Sequence, residues 1–380
     1  MNTETSYSKI SPVLFGFFIM GFVDVVGIAT NYVKKDFALN DVVANLLPMM
    51  VFLWFAVFSV PTGLWMNRLG RKKTVVVSMV FTLLAMLIPF LAYNFTVILI
   101  AFAFLGIGNT ILQVSLNPLL TNVVRGDRLT SSLTLGQFIK AIASFLGPII
   151  AGIAAGTFGN WKLIFPVFSI ITLFSSLWLM FTPIHESQEK IASSFGASFG
   201  LLRDKTIFML FLGILFVVGI DVGLNTTIPK FLMERCMISL DKAVLGTSLY
   251  FAARTIGAFA GAILLVKISG RNFLIVSMSI ALCAMVILLV LSNMWGILSM
   301  VFLLGLTVAN VFSIIFSAAL KKMPERANEI SGLMIMGVAG GAVFPILMGI
   351  ASDATSTQVG GLAILSVALG FLLFSGWKMK

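Results

Sequence analysis

Asp24, Lys140, Asp221 and Arg254 each stand inside a long apolar run. A charged side chain at bilayer depth costs roughly 2.5–3.5 kcal/mol even on a mild insertion scale. It therefore faces a bundle interior or a water-filled cavity and marks a binding or ion pathway. A carboxylate there can load and release a proton as its surroundings alternate, because burial favours the neutral form and a nearby cation the charged one. The two acids also hold matching places: GFVDVVGIATNYVKKDF carries Asp24, and VGIDVGLNTTIPKFL carries Asp221.

Neutral polar residues interrupt other apolar runs: Gln113, Asn117, Gln137, Asn225 and Asn310, with Asn31, Asn109, Thr226 and Thr227 nearer the ends. Amides both donate and accept, which suits a ligand dense in hydroxyls. The plainer alternative for each is a hydrogen bond between helices. Gln137 and Lys140 are three residues apart and share one helical face. Lys140 has three readings: a permanent ion pair with Asp24, a ligand for an anionic substrate, or a lysine that itself titrates. Asp221 and Arg254 form either a buried bridge or a second substrate contact.

These residues need membrane helices to position them. The chain has 380 residues, 59% hydrophobic and 10% charged, with a mean hydropathy of +1.09. Soluble domains carry about 25% charge, so a soluble reading fails. About 20 apolar residues span a bilayer. Twelve spans are expected, near 12–33, 43–66, 74–93, 95–120, 131–156, 161–182, 206–230, 243–266, 272–292, 295–319, 329–351 and 359–377. The net charge of +11 is topogenic. With the N-terminus inside, 17 Lys and Arg fall on the inner side and 6 on the outer. The positive-inside rule then places both termini in the cytoplasm, and nucleic-acid binding drops out.

The stretch from Pro183 to Lys205 is the one long polar inner loop. It divides the chain into a six-helix bundle over 1–183, a linker over 184–205 and a second bundle over 206–380. Gly70-Arg71 and Gly270-Arg271 recur in corresponding loops, and GPIIAG and FPILMG in helices 5 and 11. Two such repeats with a site near the midplane are a known transporter plan. Glycines in helices 5, 8 and 11 allow close packing.

Enzyme chemistry finds no support. His185 is the single histidine and lies on the linker, so neither a metal cluster nor a His-based catalytic unit is available. No Walker glycine loop or G-x-S-x-G element occurs. Cys236 and Cys283 are not placed to form a structural disulfide, and the first span reads as a retained helix. No cofactor is expected.

At Gly63–Thr74 the chain reads GLWMNRLGRKKT. This resembles the loop 2–3 signature of the major facilitator superfamily, with Gly63, Arg68, Gly70 and Arg71 kept and Asn67 in place of the acid that helps lock the inner gate. ILQVSLNPLL at Ile111–Leu120, GQFIKAIASFLGP in helix 5 and SGLMIMGVAGGAVFPILMGIASD at Ser331–Asp353 are similar to the fucose–galactose–glucose:proton symporter family. That resemblance implies an all-α major facilitator fold of two pseudo-symmetric bundles. It implies import of a hexose or 6-deoxyhexose by proton symport with alternating access, in a bacterial inner membrane. Asp24 falls on the family's sugar-binding and titrating carboxylate. Gln113 falls on its helix 4 glutamate, Gln137 on a sugar-binding glutamine, Lys140 on an asparagine, and Asn117 on its Asn-Pro. The expected substrate ligands are Asp24, Gln113, Asn117, Gln137, Lys140, Asn225 and Asn310. The expected partners are sugar, proton and lipid, and a monomer is expected. Rival readings are sodium coupling, a sugar-acid or amino-sugar carrier, and a sugar sensor without flux.

Overall fold

In the computed structural model, residues 7–39, 43, 46–124, 126–186, 194–238 and 240–379 are described. Twelve helices among them are long and apolar enough to cross a membrane. They are α1 (Ser8–Asp36), α2 (Leu46–Leu69), α3 (Arg71–Leu91), α4 (Phe95–Leu120), α5 (Gly126–Phe158), α6 (Trp161–Phe181), α7 (Lys205–Cys236), α8 (Gly246–Leu264), α9 (Gly270–Val290), α10 (Met294–Lys322), α11 (Pro324–Thr355) and α12 (Gln358–Lys378). The expected spans all appear, most of them longer. Described residues contain no strand. In lipid a helix satisfies its own backbone, which is why apolar runs of this length fold this way.

Helix starts carry side-chain caps. Asn94 Oδ1 accepts from the Val97 amide at 3.0 Å, and Asp204 Oδ1 from the Thr206 and Ile207 amides at 2.8 and 3.0 Å. Asn293 does the same for α10 at 2.9 and 3.1 Å. These oxygens satisfy amides that lack an intrahelical partner. Helix α5 stops at Gly159, whose φ of +63° is the left-handed conformation that ends helices.

Three helices are internally irregular. A 3₁₀ turn at Gly21–Asp24 tightens α1, Ala309 and Asn310 interrupt α10, and a second 3₁₀ turn at Gly337–Ala339 divides α11. The first carries Gly21 and Asp24, and the second includes Asn310, all treated below.

The chain packs as two compact units. One comprises 1–129, 136–200 and 323–336; the other comprises 130–135, 201–322 and 337–380. The first part of α11 thus belongs to the first unit, where it lies on α2 and α4. Apolar side chains such as Phe17, Phe22, Phe102 and Phe168 fill the first core, and Tyr250, Phe231 and Phe316 the second. Phe145, Ile170, Phe174, Val276 and Val367 remain exposed, as expected of surfaces bathed in hydrocarbon.

Trp295 and Trp377 are exposed, whereas Trp161 is buried. Trp161 stacks on Tyr32 at 4.8 Å, and its Nε1 donates to Asp36 at 3.0 Å. Tyr93 donates to the same carboxylate oxygen at 2.5 Å. Burial, then the hydrogen bond and charge of Asp36, push the Tyr93 hydroxyl well above the usual tyrosine range, so it stays a donor. The end of α1 is thereby clasped to the loops on either side of α4–α5.

Candidate functional site

Helices α1 and α5 come together through glycine. A Cβ on Gly136 would lie 2.8 Å from the Phe17 ring, and one on Gly21 would lie 2.6 Å from the Lys140 carbonyl oxygen. Only a residue without a side chain permits that approach. One turn beyond Gly21, the exposed Asp24 accepts a hydrogen bond from Ser144 through Oδ2. Ser144 Oγ also lies 3.0 Å from the Lys140 carbonyl oxygen. A hydroxyl has one proton to give. It can turn toward Asp24 when the acid is ionised and toward the Lys140 carbonyl when the acid carries its own proton. Ser144 therefore offers Asp24 a partner in both protonation states.

Lys140 is half-buried on the same helix. Among the described residues its ammonium makes no hydrogen bond or ion pair, and Asp24 takes Ser144 instead. The amides of Gln137 and Asn225 likewise make no hydrogen bond among the described residues, and both side chains are half-buried. Each of these two amides is free to meet a ligand.

The other expected ligands are committed. Asn117 Nδ2 donates to the Gln113 carbonyl at 2.7 Å, Gln113 Nε2 to Asn109 Oδ1 at 2.7 Å, and Asn109 Nδ2 to the Met20 carbonyl at 2.8 Å. This ladder runs along α4 at four-residue spacing and ends on α1 beside the turn that carries Asp24. Asn117 Oδ1 is buried with no hydrogen-bond partner. In the second unit Asn310 Nδ2 donates to the Gly257 carbonyl at 2.9 Å, and its Oδ1 is buried without a partner. A Cβ on Gly261 would fall 2.1 Å from that oxygen. Asn310 thus joins α8 to α10 at the break in α10.

Asp221 and Arg254 are closed on each other at 2.7 Å. Tyr250, one turn before Arg254 and fully buried, donates to Asp221 Oδ1 at 2.6 Å. Both carboxylate oxygens are therefore held, which is the bridge arrangement.

The loop 2–3 motif forms a second polar centre, within the first unit. Gly70 adopts φ +85°, a conformation that side chains rarely take, and its carbonyl accepts from Thr74 Oγ1 at 2.7 Å. Arg71 Nε donates to Asn328 Oδ1 at 2.8 Å, and its Nη1 to Pro118 O, Thr121 Oγ1 and Asn122 Oδ1 at 3.2, 3.0 and 2.8 Å. Asn328 Nδ2 donates to Asn67 Oδ1 at 2.6 Å. A Cβ on Gly63 would lie 2.7 Å from the Asn328 carbonyl oxygen. Asn67 therefore still reaches α11, amide to amide. Glu186 of the linker accepts from the Arg71 and Lys72 amides at 2.6 and 2.8 Å, capping α3. Arg68 is exposed.

Sequence reasoning passed over Ser144, Tyr250, Glu186 and Asn328. Tyr250 carried a usable signal: a phenol one turn before an intramembrane arginine. The other three depend on helix pairings that no local pattern encodes.

The family model of the Major Facilitator Superfamily matches residues 13–345. A glucose/galactose transporter of Brucella abortus is 23% identical over 401 aligned positions, covering 99% of this chain and 96% of the relative. The crystal structure of the E. coli fucose:proton symporter FucP superposes with a TM-score of 0.88 at 16% identity, covering 99% and 100% of the two chains. The proton:xylose symporter XylE superposes with a TM-score of 0.76 at 14% identity, covering 100% and 96%.

Proposed function

Because this chain belongs to the major facilitator superfamily, a family of multi-pass membrane transporters built on two six-helix bundles, we propose that it imports a monosaccharide together with a proton. The substrate is a hexose or 6-deoxyhexose, and transport runs by alternating access. The bundles are 1–183 and 206–380, joined by the linker. The protein acts as a monomer in the bacterial inner membrane, with both termini in the cytoplasm.

The observation that carries this reading is Asp24: an exposed carboxylate on a membrane helix, bonded to a hydroxyl that can serve it ionised or protonated. Gln137 and Asn225 add uncommitted donors and acceptors of the kind sugar hydroxyls need. In this reading Asp24 takes a proton before or with the sugar. Once neutral, it can donate to a sugar oxygen while Ser144 turns to the Lys140 carbonyl. Neutralising the acid removes the cost of carrying a bare carboxylate across the membrane interior. The names of the glucose/galactose relative and of the fucose and xylose symporters support the substrate class and the ion.

Uptake into proteoliposomes of fucose, galactose, glucose, mannose, N-acetylglucosamine and a uronic acid tests the reading. Each sugar is assayed with an inward proton gradient, with an inward sodium gradient and with neither. Accumulation of a neutral monosaccharide under the proton gradient alone is expected. Accumulation of the uronic acid only, or under sodium only, would overturn it.

A further inference from the structure

Away from their ends, helices α1–α6 carry only two charges, Asp24 and Lys140. The structure holds them close without pairing them. Asp24 Oδ2 is bonded to Ser144 Oγ, and Ser144 Oγ lies 3.0 Å from the backbone carbonyl of Lys140 itself. The carboxylate is thus two hydrogen bonds from the residue that carries the ammonium. A lysine side chain reaches roughly 6 Å from its Cα on a flexible four-carbon stem. That flexible stem lets the ammonium sample many positions about Lys140, those toward Asp24 among them.

We propose that Lys140 is a switchable counter-ion for Asp24, pairing with its carboxylate in the empty carrier and releasing it to proton and sugar in the loaded one. This rests on the symport reading above. An importer must return empty, and Asp24 is then deprotonated. A lone carboxylate in a closed, water-poor site is costly, and a partner of opposite charge removes most of that cost. In the empty carrier the pair sums to zero. In the loaded carrier Asp24 is neutral and Lys140 keeps its charge, so one positive charge moves inward with each sugar.

The second unit supplies the contrast. Its acid–base pair, Asp221 with Arg254, is already closed at 2.7 Å and braced by Tyr250. A planar guanidinium holding a carboxylate suits a fixed bridge. A point charge on a flexible stem, left open beside its acid, suits a switch.

The test separates two modes of transport in proteoliposomes. Exchange of labelled for unlabelled sugar needs only the loaded carrier, whereas net accumulation also needs the empty carrier to return. Lys140→Met is expected to lose net accumulation by at least about tenfold while exchange stays within about threefold of the parent protein. Lys140→Arg, which restores the charge, is expected to recover most of the accumulation. The double variant Asp24→Asn with Lys140→Met, which lacks both charges, is expected to exchange. Two results would overturn the proposal. One is Lys140→Met accumulating sugar as the parent does. The other is its losing exchange and accumulation together, which would make Lys140 a sugar ligand or a structural residue. Asp24→Asn, run in parallel, keeps the two readings apart. If it still accumulates sugar, the symport reading fails at Asp24; if it exchanges without accumulating, only the Lys140 arms bear on the counter-ion.

Discussion

Replacing Gly21 by alanine should force α1 away from α5 and disable the site one turn along. The new Cβ would lie 2.6 Å from the Lys140 carbonyl oxygen and 2.7 Å from the Ala143 Cβ, and neither is the yielding tip of a long side chain. Ordinary contact begins near 3.4 Å, so the shortfall of 3.4 less 2.6 leaves 0.8 Å to be made up by the helices. An O–H···O bond of about 2.7 Å, stretched by that amount, reaches about 3.5 Å, where hydrogen bonding ends. Asp24 would then lose Ser144. Overpacking costs about 1–3 kcal/mol and the bond to a charged group about 1.5–3 kcal/mol. Better helix propensity returns about 1 kcal/mol. A net loss of about 1.5–5 kcal/mol is expected. Gly27 is the matched control, on the same helix, with no heavy atom within 4 Å of its added Cβ. Gly27→Ala should be neutral or gain up to about 1 kcal/mol. Thermal unfolding of both variants in detergent, with uptake in proteoliposomes, reads the difference. An unchanged midpoint and uptake in Gly21→Ala, or an equal loss in Gly27→Ala, would refute the packing argument.

Arg254→Leu leaves a largely buried Asp221 with Tyr250 but without this cation, and should cost about 3–5 kcal/mol. Adding Asp221→Asn should recover part of that loss, and a double-mutant cycle on the thermal midpoint measures how much. Glu186→Gln removes a negative charge from the N-terminus of α3 while keeping its size. It should destabilise by about 0.5–1 kcal/mol, less in high salt, as a salt series of melting curves would show.

The twelve spans were legible because bilayer thickness fixes their length and charge is scarce within them. Asp24, Lys140, Asp221 and Arg254 stood out for the same reason. Which acid meets which base was not legible. Lys140 and Ser144 are one helical turn apart on α5, and sequence spacing does not say which of them Asp24 will face. Serine on a membrane helix commonly bonds its own backbone, as Ser115 and Ser169 do here, so Ser144 gave no warning. Asn67 shows another limit. Its lost charge suggested a missing lock, yet the contact persists through Asn328, a residue 261 positions away. The turn at Gly21–Asp24 and the break at Ala309–Asn310 escaped for the same reason: the partners that accompany them, Asn109 for Met20 and Gly257 for Asn310, come from other helices.

Proton movement with sugar is most directly measured as a sugar-induced pH change. Proteoliposomes without any imposed gradient receive the sugar that the uptake panel identifies, and external pH is followed. Alkalinisation of the medium is expected as sugar enters, and no alkalinisation with Asp24→Asn. Sugar entry with no pH change in the parent protein, or an equal change with Asp24→Asn, would contradict that expectation.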